Sequence, residues 1–176
     1  MRLEHSGDKM TDIVFISHYQ SPLGGITLAS NGDALTGLWF DGQKYFPQNL
    51  ISEGKPADIP VFSQTKKWLD VYFSGREPDF TPPIFQRQTP FRNDVYGILL
   101  SIPYGHTVTY GDIAKIIADN KGVKHVSARA VGGAVGHNRI ALIVPCHRVV
   151  GANGALTGYA GGIDKKTALL KLEKII

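Results

Sequence analysis

The chain has 176 residues, of which 43% are hydrophobic and 19% are charged, with one cysteine and a formal net charge of +4. Such a chain fits one ordinary globular domain or two small ones. A single cysteine excludes an internal disulfide and a multi-thiolate zinc site, and no apolar run approaches the roughly 20 residues of a membrane-spanning helix. The polar N-terminus, residues 1–9, lacks the apolar core of a signal peptide, so we expect a cytoplasmic protein. The basic charge favours an anionic partner, although mildly basic proteins are common.

The first part of the chain predicts β-structure. Runs rich in β-forming residues lie at 13–17, 26–30 and 34–40, and Asn31-Gly32 between the last two is typical of a hairpin. A polar stretch follows these runs. The sequence therefore predicts a small sheet at the N-terminal end.

A helix is predicted next, because apolar residues recur at helical spacing around Trp68 and Tyr72. Ser63 is the expected N-cap and Gly75 the expected end of this helix. Residues 77–84 contain three prolines, which predicts a linker.

Helices dominate the second half. Thr89-Pro90 predicts a helix start, with Thr89 as the cap and Pro90 at the first helical position, and Pro103 ends that run. Thr109 and Asp112 form a capping-box pattern that opens a second helix.

A segment of mostly small residues, 127–136, follows the capping-box helix and predicts a short helix of its own. Two short helices joined by a turn predict a helix-turn-helix. A last helix is predicted from Lys165 towards Ile176, with Asp164 as its cap.

Cys146 lies within a mostly apolar segment, residues 143–150. A lone cysteine is more often a small buried hydrophobic residue than a reactive thiol, so the neighbouring residues must indicate which of the two Cys146 is. The adjacent base His147 or the positive charge of Arg148 could activate the thiol, which is otherwise only a few per cent ionised at neutral pH. Glu173 is a candidate third group; periodicity alone favours a solvated edge of the last helix for it.

The segment around the cysteine, Val144-Pro145-Cys146-His147-Arg148-Val149, resembles the active-site signature of the O6-alkylguanine-DNA alkyltransferases. Further blocks match that family in order and spacing: residues 108–114, 128–134 and 158–162, and Lys166, Leu169, Leu170 and Glu173. The match is close over residues 90–174 and loose before them. The resemblance implies an α+β protein. Residues 1–84 would form a small N-terminal ribonuclease-H-like α/β domain with a linker. Residues 85–176 would form a mainly helical domain that contains a helix-turn-helix and carries DNA binding and chemistry.

The function implied by the resemblance is DNA repair. The protein would flip O6-methylguanine out of duplex DNA and transfer the alkyl group irreversibly to Cys146, once per molecule, because a thioether is a poor leaving group. His147 would act through a water as the base, and Glu173 would orient its imidazole. Tyr110 and the backbone around Tyr159 and Ala160 would donate hydrogen bonds to the guanine. No cofactor is implied.

The resemblance also assigns residues that contact DNA or line the site. Arg129 is similar to the family's arginine that fills the gap left by the flipped base, whereas on a generic helix it would be a solvated charge. Ala128 and Gly132 would let this helix approach the minor groove. Asn138 would tie the helix-turn-helix to the cysteine turn and, with Val149, would help to form the substrate site.

Some features depart from the family. Ala160 stands where some relatives have serine, so only its backbone N–H could serve, and Gly136-His137 before Asn138 differs from the commoner residues. Some members hold a structural zinc through N-terminal cysteines. This chain has none there, and its histidines are not spaced as a metal cluster, so we expect no metal.

The expected partner is double-stranded DNA carrying O6-alkylguanine, with O4-methylthymine as a further candidate lesion. We expect a monomer that does not bind membranes. Two alternatives compete: a damage-binding protein without activity, as in alkyltransferase-like relatives that lack the cysteine, and a cysteine hydrolase. Cys146 weighs against the first, and the matching DNA-binding blocks would go unexplained by the second.

Overall fold

The computed structural model describes residues 13–176; the polar N-terminal stretch used above, which includes His5, lies outside the described residues. The N-terminal sheet domain contains four strands in the order β3-β2-β1-β4. These are β1 (Phe15–Ser21), β2 (Gly24–Ser30), β3 (Leu35–Phe40) and β4 (Lys55–Pro56). The first three pair antiparallel and β4 pairs parallel to β1, which confirms the predicted strands with shifted ends.

Two helices belong to the sheet domain, α1 (Asn49–Glu53) and α2 (Pro60–Phe73). The prediction of Ser63 as the N-cap of α2 was wrong. Ile59 is the N-cap, and Pro60 occupies the first helical position, where its missing N–H removes no hydrogen bond. Gly75, with a positive φ of 84°, lies just beyond the end of α2, as predicted.

The helical C-terminal domain begins with α3 (Pro90–Ser101), which Thr89 caps as predicted. The helix-turn-helix consists of α4 (Tyr110–Lys121) and α5 (Ala128–Gly136), and the capping box of Thr109 and Asp112 is present at the start of α4. The last helix is α6 (Ile163–Leu172). The prediction of Asp164 as the cap of this helix was wrong. Gly162 is the N-cap, and Asp164 lies in the first turn, where its negative charge interacts favourably with the helix dipole.

The sheet domain holds the segment that leads to Cys146. Leu38 of β3 donates its N–H to the Arg139 carbonyl (2.8 Å) and accepts from the Ala141 N–H (3.0 Å). This pairing extends the sheet edge into residues 139–141, a few residues before the cysteine. One continuous apolar core includes side chains from both domains, among them Leu69 and Leu169. The two domains therefore share a core and are packed against each other next to the cysteine.

Within residues 13–176, no helix combines the length and the apolar character needed to cross a bilayer.

Candidate active site

Cys146 begins a single turn of 3-10 helix, Cys146–Arg148, which leads into β6 (Val149–Val150). This short strand pairs in parallel with β5 (Val108–Thr109), and β5 runs directly into α4. The pairing places the first residue of α4, Tyr110, close to the cysteine turn. Residues separated by more than 30 positions in sequence are thereby brought into one site.

The thiol lies at a cavity of about 330 Å³ although Cys146 itself is only 6% exposed. Glycines of α5 and residues of three other segments contribute to its wall, among them Gly132, Gly133, Tyr110, Tyr159, Ala160, Lys44 and Tyr45. Val149, which was predicted to help form the substrate site, is not among the lining residues; it is fully buried, and its carbonyl accepts a hydrogen bond from Lys166. A ligand in the cavity would therefore lie against Cys146.

Burial raises the pKa of the Cys146 thiol above its ordinary value. The side chains of Asn138 and Tyr159 and the charge of Lys166 oppose this shift without cancelling it. The positive charge that acts on the thiol is that of Lys166, whereas the Arg148 guanidinium binds Glu173 and the Ile102 carbonyl. The thiol is therefore protonated at neutral pH.

His147 is fully buried, and its Nε2 lies 2.6 Å from Oε1 of Glu173. Burial lowers the pKa of His147, although the hydrogen bond and charge of Glu173 act in the other direction. The imidazole is thus neutral at pH 7. Because an ionised carboxylate only accepts hydrogen bonds, Nε2 carries the proton and Nδ1 is left as an acceptor. Nδ1 has no hydrogen-bond partner among residues 13–176, although it is buried.

Glu173 is the most heavily hydrogen-bonded side chain at the site. Besides His147, its carboxylate accepts from Arg148 (2.9 Å to Oε2), from the Gly105 N–H (3.1 Å) and from the Tyr72 hydroxyl (2.8 Å). Burial alone would raise the pKa of Glu173, but the hydrogen bonds and charges of His147 and Arg148 lower it to about 2. The carboxylate is therefore ionised throughout the neutral range.

The expectation from periodicity that Glu173 is a solvated edge residue was wrong, since only 4% of it is exposed. Helix α6 ends at Leu172, and Glu173 is its C-cap. Because Glu173 lies beyond the last helical residue, helical periodicity does not predict the direction of its side chain.

Lys166 holds the loop that closes the cavity. Its buried ammonium donates hydrogen bonds to the carbonyls of Val149, Thr157 and Gly158, and burial lowers its pKa to about 8. The Tyr110 hydroxyl also donates to the Thr157 carbonyl, at 3.1 Å. These bonds position Tyr159 and Ala160 at the cavity wall.

Asn138 connects the end of α5 to the cysteine turn. Its amide donates to the Val144 carbonyl (2.8 Å) and the Ile140 carbonyl (3.3 Å), while its side-chain oxygen accepts from the Ile140 N–H. Asn138 is 5% exposed, so it is not the surface polar residue of the simplest interpretation.

The structure divides the predicted site residues into two groups. The first group contains residues that line the cavity, Cys146, Tyr110, Gly132, Tyr159 and Ala160, together with buried residues that are not part of its wall, His147, Glu173, Asn138 and Val149. Ala128 and Arg129 instead lie on the exposed surface of the first turn of α5, outside the cavity. Exposed glycine and alanine residues, including Ala130 and Gly133, leave that surface free of bulky side chains.

Sequence reasoning missed several groups that the site uses. Tyr72 was interpreted only as an apolar residue of α2, Lys166 only as part of a matching block, and Tyr45 not at all. The helical pattern around Tyr72 shows that the residue is buried, but nothing in it indicates where the hydroxyl points. Tyr45 has a positive φ of 64°, which is unusual for a residue with a side chain, and its ring stacks on His137.

Two family models match the chain. Residues 14–85 match the 6-O-methylguanine DNA methyltransferase ribonuclease-like domain, and residues 90–175 match the DNA binding domain of the same family. The two matches together cover most of the chain.

Curated proteins named methylated-DNA–protein-cysteine methyltransferase are similar along most of the chain. The protein of Mycobacterium tuberculosis strain H37Rv is 47% identical over 160 residues, which is 89% of this chain and 92% of that protein. The Haemophilus influenzae protein is 37% identical over 163 residues, 92% of this chain and 87% of its own length.

Solved structures agree with these matches. The crystal structure of the Mycobacterium tuberculosis O6-methylguanine methyltransferase aligns with a TM-score of 0.78 and 46% identity, over 92% of this chain and 93% of that one. The crystal structure of Mycobacterium tuberculosis OGT in complex with DNA gives the same TM-score, with 45% identity over 91% and 92% of the two chains.

The environment of Glu173 predicts how stability depends on pH. A carboxyl whose pKa is lower in the folded state than its unfolded value near 4.3 stabilises the fold above that value and loses the contribution as the pH falls towards 2. His147, whose pKa is also lowered, adds a loss that begins below about pH 6.5. We expect the free energy of unfolding, measured with urea, to fall by a few kcal/mol between pH 7 and pH 3.

The Glu173→Gln variant tests whether the ionised carboxylate of Glu173 contributes to this pH dependence. It should be less stable than the wild type at pH 7, by about 3 kcal/mol, because Arg148 keeps its buried charge without a counter-ion. Its fall in stability between pH 4.5 and pH 3 should be smaller than that of the wild type, because only the contributions of other groups, such as His147 and the capping carboxylate Asp112, remain. The matched control is Asp94→Asn, which removes a carboxylate from an exposed ion pair and should keep the wild-type pH dependence. An unchanged pH dependence in Glu173→Gln would contradict the account.

Proposed function

The chain belongs to the 6-O-methylguanine DNA methyltransferase family, and from this premise we propose that Cys146 is the residue that receives the alkyl group. The protein binds DNA and repairs it by transferring alkyl groups from O6-methylguanine to its own cysteine. Cys146 is the single cysteine of the chain. The observation that carries the assignment is that Cys146 lines the cavity and directly precedes His147, which is buried and paired with Glu173.

The transfer step follows from this geometry. The thiol proton passes to Nδ1 of His147, which has no hydrogen-bond partner among the described residues, and we assign a bridging water as its carrier. The sulfur then forms a bond to the alkyl carbon as the bond between that carbon and O6 breaks. Guanine leaves with the electron pair, and Glu173 stabilises the imidazolium formed at His147. The product is a thioether that no described group can cleave, so each molecule reacts once.

Hydrogen-bond donors at the cavity stabilise the leaving guanine. The Tyr110 hydroxyl, which in this structure donates to Thr157, would turn to N3 of the base, and the backbone N–H groups of Tyr159 and Ala160 would donate to O6. Burial raises the pKa of Tyr110, so its hydroxyl keeps the proton that it must donate. The absence of a hydroxyl at Ala160 makes the backbone N–H the donor there.

Access to the lesion requires a flipped base, because the reacting carbon lies inside the duplex. Arg129 lies exposed on the first turn of α5, where Ala128 beside it lets the backbone approach DNA. We assign Arg129 to the gap that the flipped nucleotide leaves in the stack. Helix α5 would then enter the minor groove, with Gly132 at the cavity wall facing the extruded base.

Further assignments belong to the same proposal. We place the domain division after residue 84, within a segment that contains no helix between α2 and α3. We propose that the protein acts as a cytoplasmic monomer, and that O4-methylthymine is a second lesion that it accepts. No cofactor or metal is required by the chemistry described.

Intact-protein mass spectrometry tests the assignment of Cys146. After incubation with a duplex that contains one O6-methylguanine, we expect a mass increase of one methyl group, mapped to Cys146 by peptide analysis. The Cys146→Ser variant, which should still bind the duplex, should show no increase. Methylation at another residue, or binding without any mass change, would overturn the proposal.

The role of Arg129 predicts a difference between substrates. Arg129→Ala should slow transfer from duplex DNA at least tenfold, because filling the gap in the stack offsets the few kcal/mol needed to extrude the base. Transfer from free O6-benzylguanine, which needs no flipping, should proceed at the wild-type rate. Single-turnover rates on both substrates check this. The matched control is Lys67→Ala, which removes an exposed positive charge from α2. Equal losses on the two substrates would contradict the role.

A further inference from the structure

One side chain of the sheet domain reaches the hydrogen-bond network of the helical domain. The Tyr72 hydroxyl, on α2, lies 2.8 Å from Oε1 of Glu173 and 3.3 Å from Nε2 of His147. Tyr72 is fully buried. The same carboxylate oxygen therefore accepts hydrogen bonds from the imidazole of His147 and from a hydroxyl of the other domain.

Packing explains the ring of Tyr72 but not its hydroxyl. The ring stacks on Trp68 at 5.2 Å between centroids and meets Tyr104 edge to face at 6.3 Å. A phenylalanine could make these contacts equally well. A buried hydroxyl needs a partner, and this one is placed on the carboxylate that orients the proposed base.

The other groups that bind Glu173 are divided between its two oxygens. Arg148 Nε (2.9 Å) and the Gly105 N–H (3.1 Å) donate to Oε2. Oε1 accepts hydrogen bonds from Arg148 Nη2 (3.0 Å) and Nε (3.3 Å), from His147 and from Tyr72. Arg148 and Tyr72 thus both hold the oxygen that contacts the imidazole, and Tyr72 is the group that comes from the sheet domain.

We propose that Tyr72 is a positioning residue for alkyl transfer, through which the sheet domain completes the active site. Its hydroxyl holds Oε1 of Glu173 against Nε2 of His147, and so fixes the imidazole with Nδ1 free to accept a proton. The inference rests on the proposed roles of His147 and Glu173. It gives the sheet domain a part in the chemistry, in addition to its part in the shared core.

The hydroxyl also affects the proton affinity of the imidazole. Because it donates to Oε1, it withdraws negative charge from the oxygen that stabilises protonated His147. The other polar or charged groups facing this pair are Arg148 beside it, Lys166 of α6 and Tyr104 after α3. All of these remain when Tyr72 is replaced by phenylalanine, so that the replacement isolates the hydroxyl.

Single-turnover transfer by Tyr72→Phe tests the proposal. We expect transfer to slow about tenfold on both methylated duplex and free O6-benzylguanine, because a displaced base loses its alignment, while affinity for DNA stays unchanged. The acid limb of the rate against pH should also move to higher pH, because the pKa of His147 rises and the neutral imidazole is the active form. A merely structural hydroxyl would alter neither the pH profile nor the rate of the folded fraction.

The control is Tyr19→Phe on β1. It removes a hydroxyl that donates to Asp70 of α2 at 2.6 Å, outside the site. It should react at the wild-type rate with the wild-type pH profile. A wild-type rate and profile in Tyr72→Phe would overturn the proposal, as would a slower rate explained entirely by the unfolded fraction measured with urea. If the wild type itself gained no methyl group, the proposed function would fail instead, so the two failures are distinguishable.

Discussion

The architecture of the site depends on the burial of one carboxylate. Glu173 is almost inaccessible to water, and a buried charge is tolerated only when partners compensate its lost hydration. Those partners come from separate segments: Tyr72 from α2, Gly105 from the turn after α3, and His147 and Arg148 from the cysteine turn. The hydrogen bonds to this one side chain therefore fix the relative positions of four segments, namely these three and the C-terminal segment that contains Glu173.

Burial also determines the protonation states of Cys146 and His147. Burial raises the pKa of Cys146 and lowers that of His147, so that the resting pair consists of a neutral thiol and a neutral imidazole. Many cysteine nucleophiles are instead activated by lowering the thiol pKa. In the proposed mechanism the proton passes to His147 before the sulfur attacks, and the charge formed on the imidazole is stabilised by Glu173, which is already ionised. A thiol that is buried and protonated at rest is a weak nucleophile, which suits a protein that can react only once.

The sequence predicted what depends on neighbouring residues. The caps at Thr89 and Thr109 and the hairpin at Asn31-Gly32 follow from local chemistry, as does the adjacency of Cys146 and His147. The errors at Ser63 and Asp164 were also local, because more than one residue near each helix start can serve as its boundary.

The contacts of Tyr72 and Lys166 could not be predicted from local pattern, because they join positions far apart in the chain. Tyr72 and Glu173 are separated by 101 residues, and helical periodicity says only that a residue faces the core. The role of Glu173 came from resemblance to a family, since periodicity alone favoured a solvated position. Long-range polar contacts of this kind are visible only when the two domains are seen packed together.

The central claim is that both domains act on the chemistry through the carboxylate of Glu173. A double-mutant cycle of single-turnover transfer rates, with Tyr72→Phe, Glu173→Gln and the double variant, tests it most directly. If the hydroxyl acts through the carboxylate, the double variant should react as fast as Glu173→Gln alone, within about twofold. Rate losses that multiply in the double variant would show that the two residues act independently, and would contradict the account.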